Sequence, residues 1–215
     1  MGVMIAIDGP AAAGKGTLSR RVAETYGLAY LDTGALYRGV AWTLLDADAD
    51  PANETAAQAA AERFSIDDIK NADIRTAEVG AAASVVAAQP AVRAALLDYQ
   101  RRFASEPPGG AKGAVLDGRD VGTVVCPDAD VKLFVTASAE ARAHRRWLEL
   151  KDKNPNLTEA SLLEDLKARD KRDAERADAP MKPADDAVLI NTTDLSIEAA
   201  FVAARRAIDA VLRQG

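Results

Sequence analysis

Apolar runs and amphipathic stretches alternate along the start of the chain, and this pattern predicts strands and helices in turn. Residues 2–8 form an apolar run typical of a buried strand, and residues 15–26 are expected to form the helix that follows. A short strand at 28–32 and a helix over 33–46, capped by Thr33, come next. The order strand, helix, strand predicts a parallel sheet.

Two later segments of the chain differ in composition from the rest. Residues 47–105 are rich in alanine and carry helical periodicity around a polar break at 67–73, whereas residues 152–181 are dense in charge. The remaining strands are expected at 114–116, 131–135 and 187–190, and the remaining helices at 138–151 and after Thr158.

The last helix has one apolar face, which predicts that it packs on the sheet. The residues of this face recur at alternating spacings of four and three: Ile197, Phe201, Ala204, Ile208 and Val211. We therefore expect one α/β domain with a parallel central sheet and helices on both faces. Its core would comprise residues 1–46, 106–151 and 182–215, interrupted by an α-rich insertion at 47–105 and a lid segment at 152–181.

Composition limits the possible partners. The net charge of −6 and the pI of about 5.0 argue against a nucleic acid polymer or an anionic membrane as the main partner. Cys126 is the one cysteine, so no intrachain disulfide can form, and its apolar neighbours predict a small buried side chain. The single histidine, His144, is expected to be structural. Without a secretory signal or a long apolar stretch, a cytoplasmic location is expected. A monomer is the default expectation.

The stretch IDGPAAAGKGT suggests a phosphate-binding loop between the first strand and helix. It nearly fits G-x-x-x-x-G-K-[ST] and departs from it at Gly16, so that the hydroxyl falls one step later, on Thr17. Loop N–H groups and the helix dipole would bind phosphates, and Lys15 would reach the β- and γ-phosphates. The alternative is a Gly/Ala turn with a solvated lysine. The candidate residues are Gly9, Pro10, Ala11, Ala12, Ala13, Gly14, Lys15, Gly16 and Thr17.

Two polar stretches follow predicted strands at the sheet edge where ligands bind in open α/β sheets. LDTGALYR offers Thr33, Tyr37 and Arg38, and LDGRD offers Asp117, Arg119 and Asp120. Arginine is suited to phosphate because its guanidinium can donate two parallel hydrogen bonds. The alternatives are a capped surface helix and a polar turn.

A charge run supplies further candidates on one predicted helical face. Arg169, Arg172, Asp173 and Arg176 are spaced i, i+3, i+4, i+7. Alone, such a run is more typical of a solvated face with internal salt bridges. Beside a phosphate loop, arginines on a mobile segment could cover the charge that gathers during phosphoryl transfer.

Taken together, these stretches resemble one family, the bacterial-type cytidylate kinases of the nucleoside monophosphate kinase group. The matching stretches follow the family order across nearly the whole chain: IDGPAAAGKGT, LDTGALYR, IRTAEVGAAAS, QPAVR, LDGRDVGTVVCPDA, ERADAP and VLINTT. The resemblance implies a three-layer P-loop kinase fold with an NMP-binding insertion and a short lid. It also implies ATP as donor, CMP or dCMP as acceptor, Mg²⁺ with the ATP, and a place in pyrimidine nucleotide metabolism.

The resemblance also implies residue roles, position by position. Thr33, Arg38 and Arg119 would contact the acceptor phosphate. Ser84, Arg93 and Asp120 would bind cytosine, whose amino group suits a carboxylate acceptor, so UMP should be the poorer substrate. Arg169 and Asp173 would reach the sugar, Arg176 the phosphates, and Arg145 and Arg172 the donor side of the lid. Tyr37 and Asp117 complete the acceptor set, and the catalytic set is Lys15, Arg119, Arg172 and Arg176.

Two departures and two rivals accompany the resemblance. The family loop usually reads Ser-Gly where this chain has Ala11-Ala12, and the insertion around 64–75 is shorter than the family's usual version. One rival is a kinase for UMP, AMP or shikimate. The other is a non-catalytic nucleotide sensor or GTPase-like switch, which normally needs an N-K-x-D motif that this sequence lacks.

Overall fold

The structure is a computed structural model that describes residues 2–69, 72–152 and 154–213. Strands and helices follow one another much as the hydrophobic pattern predicts. The strands are β1 Val3–Asp8, β2 Ala29–Asp32, β3 Gly113–Gly118, β4 Val131–Thr136 and β5 Val188–Asn191. The helices are α1 Lys15–Tyr26, α2 Thr33–Asp46, α3 Glu54–Arg63, α4 Ala77–Val86, α5 Pro90–Ser105, α6 Ala139–Leu150, α7 Glu159–Glu175 and α8 Ile197–Leu212. A π-helical turn covers Val121–Val125, and 3₁₀ turns cover Ile66–Ile69 and Pro108–Gly110.

The chain divides into two compact units, Met1–Leu31 with Ala104–Gly215, and Asp32–Phe103. We call them the core unit and the helical unit. The division into a core, an insertion at 47–105 and a lid at 152–181 concerns function, and it stays a prediction. The polar break expected at 67–73 falls partly on residues 70 and 71, which lie outside the described residues.

The core unit contains a five-stranded sheet in the order β2-β3-β1-β4-β5. Strand β1 runs parallel to β3 and to β4, and β4 runs parallel to β5, which confirms the predicted parallel arrangement. Ile5, Ala6 and Ile7 in the central strand are fully buried. Since successive side chains of a strand point to opposite faces, both faces of the sheet are covered there.

Helices α1 and α8 pack with the strands in one hydrophobic cluster. It includes Val22 of α1 and Phe201, Ala204 and Ile208 of α8, each at most 6% exposed. The predicted apolar face of α8 is wrong at its ends, because Ile197 is 67% exposed and Val211 is 38% exposed. These two residues lie in the first and last turns, so only the middle of the face is covered.

Local signals set the helix boundaries. Asp32, not Thr33, caps α2: its backbone is extended and its side chain accepts a hydrogen bond from the Ala35 N–H. The prediction of Thr33 as the cap is therefore wrong, because Thr33 is already the first helical residue. The predicted cap of α7 is confirmed, since Thr158 accepts from the Ser161 N–H.

The helical unit is built around α2. Its buried residues include Leu36, Val40 and Leu44, and a close approach occurs at Gly39, where a Cβ would overlap the ring of Phe64. Over the described part of the chain, no single helix is both long and apolar enough to cross a membrane. The bent pair Ala77–Val86 and Pro90–Gly110 passes that test jointly, by length and composition only.

Candidate active site

The phosphate loop joins β1 to α1, and two glycines determine its path. Gly9 has a φ of 140°, and a Cβ there would overlap the carbonyl of Val135. Gly14 has a φ of 89° and is the N-cap of α1, with no side-chain hydrogen bond to the first turn. The positive end of the helix dipole therefore faces the loop without a protein side chain capping it, as an anion site requires.

Lys15 is already positioned inside this loop. Its side chain is buried, and its Nζ donates to the carbonyl oxygen of Pro10 at 2.9 Å. The alternative of a solvated lysine on a Gly/Ala turn is wrong on this geometry.

Side chains from other elements hold the next loop carbonyls. Arg142 of α6 donates to the Ala11 carbonyl at 3.2 Å, and the Thr192 hydroxyl donates to the Ala13 carbonyl at 3.0 Å. Between them, Ala12 adopts a left-handed backbone with a φ of 58°. Ala12 therefore places a Cβ in a conformation that glycine adopts more easily.

The unusual Gly16 lies beside an acidic group. A Cβ at Gly16 would stand 3.6 Å from Oδ2 of Asp117 and 3.8 Å from the hydroxyl of Tyr30. That hydroxyl donates to the same Asp117 oxygen at 2.8 Å. Both distances are ordinary van der Waals contacts, so glycine here is not required by sterics and leaves space beside the carboxylate.

Two ion pairs with buried carboxylates bring four of the predicted acceptor residues together within the core unit. Arg119 Nε donates to Asp173 at 2.9 Å, and Arg176 Nη2 donates to Asp120 at 3.0 Å. Arg169 lies 4.0 Å from Asp173. The segment after β3 is thus joined to the end of α7, and each carboxylate fixes the orientation of an arginine.

The predicted helical face of arginines needs two corrections. Helix α7 ends at Glu175, and Arg176 has an extended backbone with a ψ of 139°, so it does not share the helical face. Its Nε donates instead to the carbonyl of Ala179, which helps to direct its side chain toward Asp120. Arg172 is on the helix and exposed, in contrast to the buried Asp173 beside it. The structure therefore does not group Arg172 with the paired residues.

Arg145 binds the segment after β5. Its guanidinium donates to the Thr192 hydroxyl at 3.2 Å and to the Thr193 carbonyl at 3.2 Å.

His144 has a half-exposed side chain next to Glu159 on α7. Cys126 is buried, as expected from its apolar neighbours.

The helical unit gathers the other predicted acceptor residues. Arg38 donates to Asp32 at 2.7 Å, and the absence of a side chain at Gly34 leaves room for this pair, because a Cβ would stand 3.0 Å from the guanidinium. The guanidinium of Arg93 lies 5.8 Å from the ring centre of Tyr37. Thr33 is also buried in this unit.

Ser84 is a buried hydroxyl in α4, with 4% exposure. Its Oγ has no hydrogen-bond partner within the described ranges. Because an unpaired buried hydroxyl is unfavourable, this position is a good candidate for a ligand contact.

Sequence reasoning missed several residues that shape this site, above all Asp8, the last residue of β1. Its carboxylate accepts the N–H groups of Val121 and Gly122, and burial raises the pKa of Asp8 to about 6 although these two bonds favour the charged form. An acidic residue that ends a buried strand was the available signal. Arg142 and Thr192 gave no such signal, since their partners lie far away in the chain.

Comparison with known proteins places this site in context. A family model described as "Cytidylate kinase" matches residues 5–208. A cytidylate kinase of Paramagnetospirillum magneticum is 57% identical, over 95% of this chain and 96% of the relative. One of Methylocella silvestris is 57% identical, over 94% and 92%. A solved structure of an uncharacterized protein from Eubacterium ventriosum, at 16% identity, matches 98% of this chain and 99% of that chain with a TM-score of 0.55, which shows the fold alone.

Proposed function

Because this chain belongs to the cytidylate kinase family, it is an ATP-dependent kinase of CMP or dCMP, and we propose how its residues perform that transfer. The observation that carries the proposal is the combination of a phosphate loop that contains a buried lysine with two Arg–Asp pairs in the core unit whose carboxylates are buried. The first would hold the donor, and the second the acceptor.

On the donor side, the loop N–H groups and Lys15 hold the phosphates of ATP. The bond from Lys15 to the Pro10 carbonyl keeps the ammonium group within the loop, so that it exchanges one oxygen acceptor for another when phosphate binds. Arg145 acts on the donor side of the lid, where its bonds to residues 192 and 193 hold it against the end of β5. Arg172 is exposed and approaches the donor only when the lid moves.

The residues near Gly16 fit Mg²⁺ bound together with ATP. Magnesium in kinases is held by one or two carboxylates and substrate phosphates rather than by a cage of protein ligands. Glycine at position 16 leaves space beside the Asp117 carboxylate, because a Cβ there would stand 3.6 Å from Asp117 Oδ2. The hydroxyl of Thr17 lies in the first turn of α1, next to this glycine in the chain. Asp117 and Thr17 would hold the ion through its water ligands, and the ion would neutralise charge on the transferring phosphoryl group.

On the acceptor side, arginines neutralise the CMP phosphate and carboxylates orient them. Arg119 and Arg176 are the core-unit arginines, and their pairs with Asp173 and Asp120 restrict their rotamers before substrate binds. Because these side chains are already restricted, less side-chain conformational entropy is lost when CMP binds. Asp173, with Arg169 nearby, also contacts the sugar. In the helical unit, Thr33, Tyr37 and Arg38 act on the phosphate side.

Cytosine is read by Ser84, Arg93 and Asp120. A carboxylate has about four acceptor positions, so Asp120 can accept from the cytosine amino group while it keeps Arg176. Arg93 and the buried Ser84 hydroxyl can donate to the ring acceptors. UMP would place a carbonyl oxygen against the carboxylate, which leaves polar groups mismatched and makes it the poorer substrate.

The reaction needs no general base. The nucleophile is an oxygen of the CMP phosphate, which is already anionic at neutral pH, and the bond from the γ-phosphorus to the β,γ-bridging oxygen of ATP breaks as the new bond forms. Catalysis then depends on positioning and on charge neutralisation by the loop, Lys15 and the arginines.

Arg176→Ala tests the proposal, with Arg213→Ala as the matched control because Arg213 is 81% exposed at the end of α8. We expect Arg176→Ala to lower kcat by about 100- to 1000-fold while the Kd for ATP changes little. The control should retain wild-type kinetics. Wild-type turnover by the Arg176 variant would refute its role, and a preference of the wild-type enzyme for AMP over CMP would refute the base assignment.

We also propose that the enzyme acts as a monomer and that it is located in the cytoplasm. A chain with a single cysteine forms no intrachain disulfide, which suits a reducing compartment. Size-exclusion chromatography with light scattering tests the first statement, and cell fractionation tests the second.

A further inference from the structure

Asp8 connects the base of the phosphate loop to the segment that follows β3. It is the last residue of β1 and is 5% exposed. Its Oδ1 accepts the Val121 N–H at 2.8 Å, and its Oδ2 accepts the Gly122 N–H at 2.7 Å. Hydrogen bonds to an ionised carboxylate are stronger than neutral ones, and two in parallel fix direction as well as distance.

The segment that Asp8 holds carries the proposed acceptor residues. Val121 directly follows Arg119 and Asp120, whose side chains pair with Asp173 and Arg176. The carbonyl of Asp120 also accepts from the Val125 N–H at 3.2 Å, the five-residue bond that begins the π-helical turn. The carboxylate of Asp8 therefore fixes the backbone of this segment after Asp120, and the two ion pairs fix the side chains of Arg119 and Asp120.

The residue at position 122 is suited to this contact. A Cβ on Gly122 would stand 3.4 Å from Oδ2 of Asp8 and 3.3 Å from Cγ and Cδ of Lys132. These distances are tight for a side chain, so glycine lets this amide lie between the carboxylate and the stem of Lys132 without a clash.

We propose that Asp8 is a positioning residue for the acceptor, although it lies in the strand that leads into the donor loop. It fixes the backbone after Asp120, and so holds Arg119 and Asp120 where the CMP phosphate and base would meet them. The inference rests on the proposed roles of those two residues. The role assigned to Asp8 is therefore one of position, since its two oxygens accept backbone amides and its side chain is buried.

Asp8→Asn is the test, because asparagine keeps the shape but has one acceptor oxygen and places an NH₂ group against the second amide. We expect KM and the calorimetric Kd for CMP to rise about tenfold or more, and KM for ATP to change less than about threefold. Asp130→Asn is the matched control: Asp130 accepts the Met4 N–H at 2.7 Å, near the start of the same strand that Asp8 ends. It should leave both constants unchanged.

Gly122→Ala provides a second variant, since its Cβ would stand 3.4 Å from Oδ2 of Asp8 and 3.3 Å from the Lys132 stem and so disturbs the same contact. It decides the question if Asp8→Asn does not fold. Unchanged CMP affinity, or a loss of ATP affinity alone, would overturn the inference. Arg119→Ala separates this outcome from a failure of the proposed function. If Arg119→Ala weakens CMP binding and Asp8→Asn does not, only the role of Asp8 is wrong. If neither does, the acceptor assignment itself is wrong and the inference falls with it.

Discussion

The left-handed Ala12 gives a direct thermodynamic test of the phosphate loop. Its φ is 58°, where a Cβ crowds the following carbonyl and costs about 1–2 kcal/mol relative to the right-handed region. Glycine avoids this strain but has more freedom in the unfolded chain, which costs about 0.4–1 kcal/mol. The difference predicts that Ala12→Gly raises the free energy of unfolding by about 1 kcal/mol. For a chain of 215 residues that is a rise in Tm of about 2–4 °C.

The neighbouring Ala13 supplies the control. It is fully buried and lies outside the left-handed region, so Ala13→Gly removes a packed methyl group and adds unfolded-state freedom. These two effects predict a loss of about 1–2 kcal/mol. Differential scanning calorimetry and urea unfolding of the wild-type protein and both variants, with no nucleotide present, would measure the two changes.

A gain in the free energy of unfolding for Ala12→Gly and a loss for Ala13→Gly would show that the local backbone conformation determines the effect of an Ala→Gly substitution in this loop. If Ala12→Gly leaves Tm unchanged or lowers it while Ala13→Gly destabilises as expected, the strain assigned to Ala12 is wrong. KM for ATP should stay within about threefold in the Ala12 variant, because Arg142 and Thr192 continue to hold the carbonyls on either side.

Three further predictions concern the pH dependence of stability, specificity and packing. The pKa of Asp8 in the folded protein is about 6 and its usual value is 3.8, so ionisation of Asp8 destabilises the fold, and this cost grows between about pH 3.8 and about pH 6 and is complete above that pH. Urea titrations should show the free energy of unfolding of the wild type falling by about 2 kcal/mol relative to Asp8→Asn between about pH 4 and about pH 7, and a constant difference would contradict this. Asp120→Asn should narrow the preference for CMP over UMP by about tenfold or more in steady-state assays, since the amide can donate to the uracil carbonyl; an unchanged ratio would show that another residue reads the base. Gly39→Ala should lower the free energy of unfolding by about 1–3 kcal/mol in urea denaturation, because its Cβ would overlap the ring of Phe64, and wild-type stability would mean that the ring moves aside.

The fold could be predicted from hydrophobic periodicity because most of its elements bury one consistent face. The bounds of α1 were predicted to the residue, and its C-cap Gly27 has a φ of 65°, as a glycine stop requires. Errors arose where a boundary depends on one dihedral angle. Thr33 and Asp32 are both good caps by composition, and only the extended backbone of Asp32 decides between them.

The site was predictable where a motif carries its own geometry. The phosphate loop is local, so glycine spacing and the following helix were enough to predict it. Pairing across the chain was not, because spacing along the sequence says nothing about residues that meet after folding. Arg176 shows the limit: helical periodicity placed it beside Arg169, whereas the chain leaves the helix before it and the side chain turns to Asp120.

Three carbonyl groups of the phosphate loop, those of Pro10, Ala11 and Ala13, each accept a hydrogen bond from a side chain. Lys15 lies within the phosphate motif, but Arg142 and Thr192 do not, and the latter two come from α6 and from the segment after β5. A graft of the eleven letters IDGPAAAGKGT into another scaffold would therefore carry only part of what gives the loop its shape. The portable module is the loop together with these two distant side chains, and a designer who transplants it should move all of them or supply equivalents.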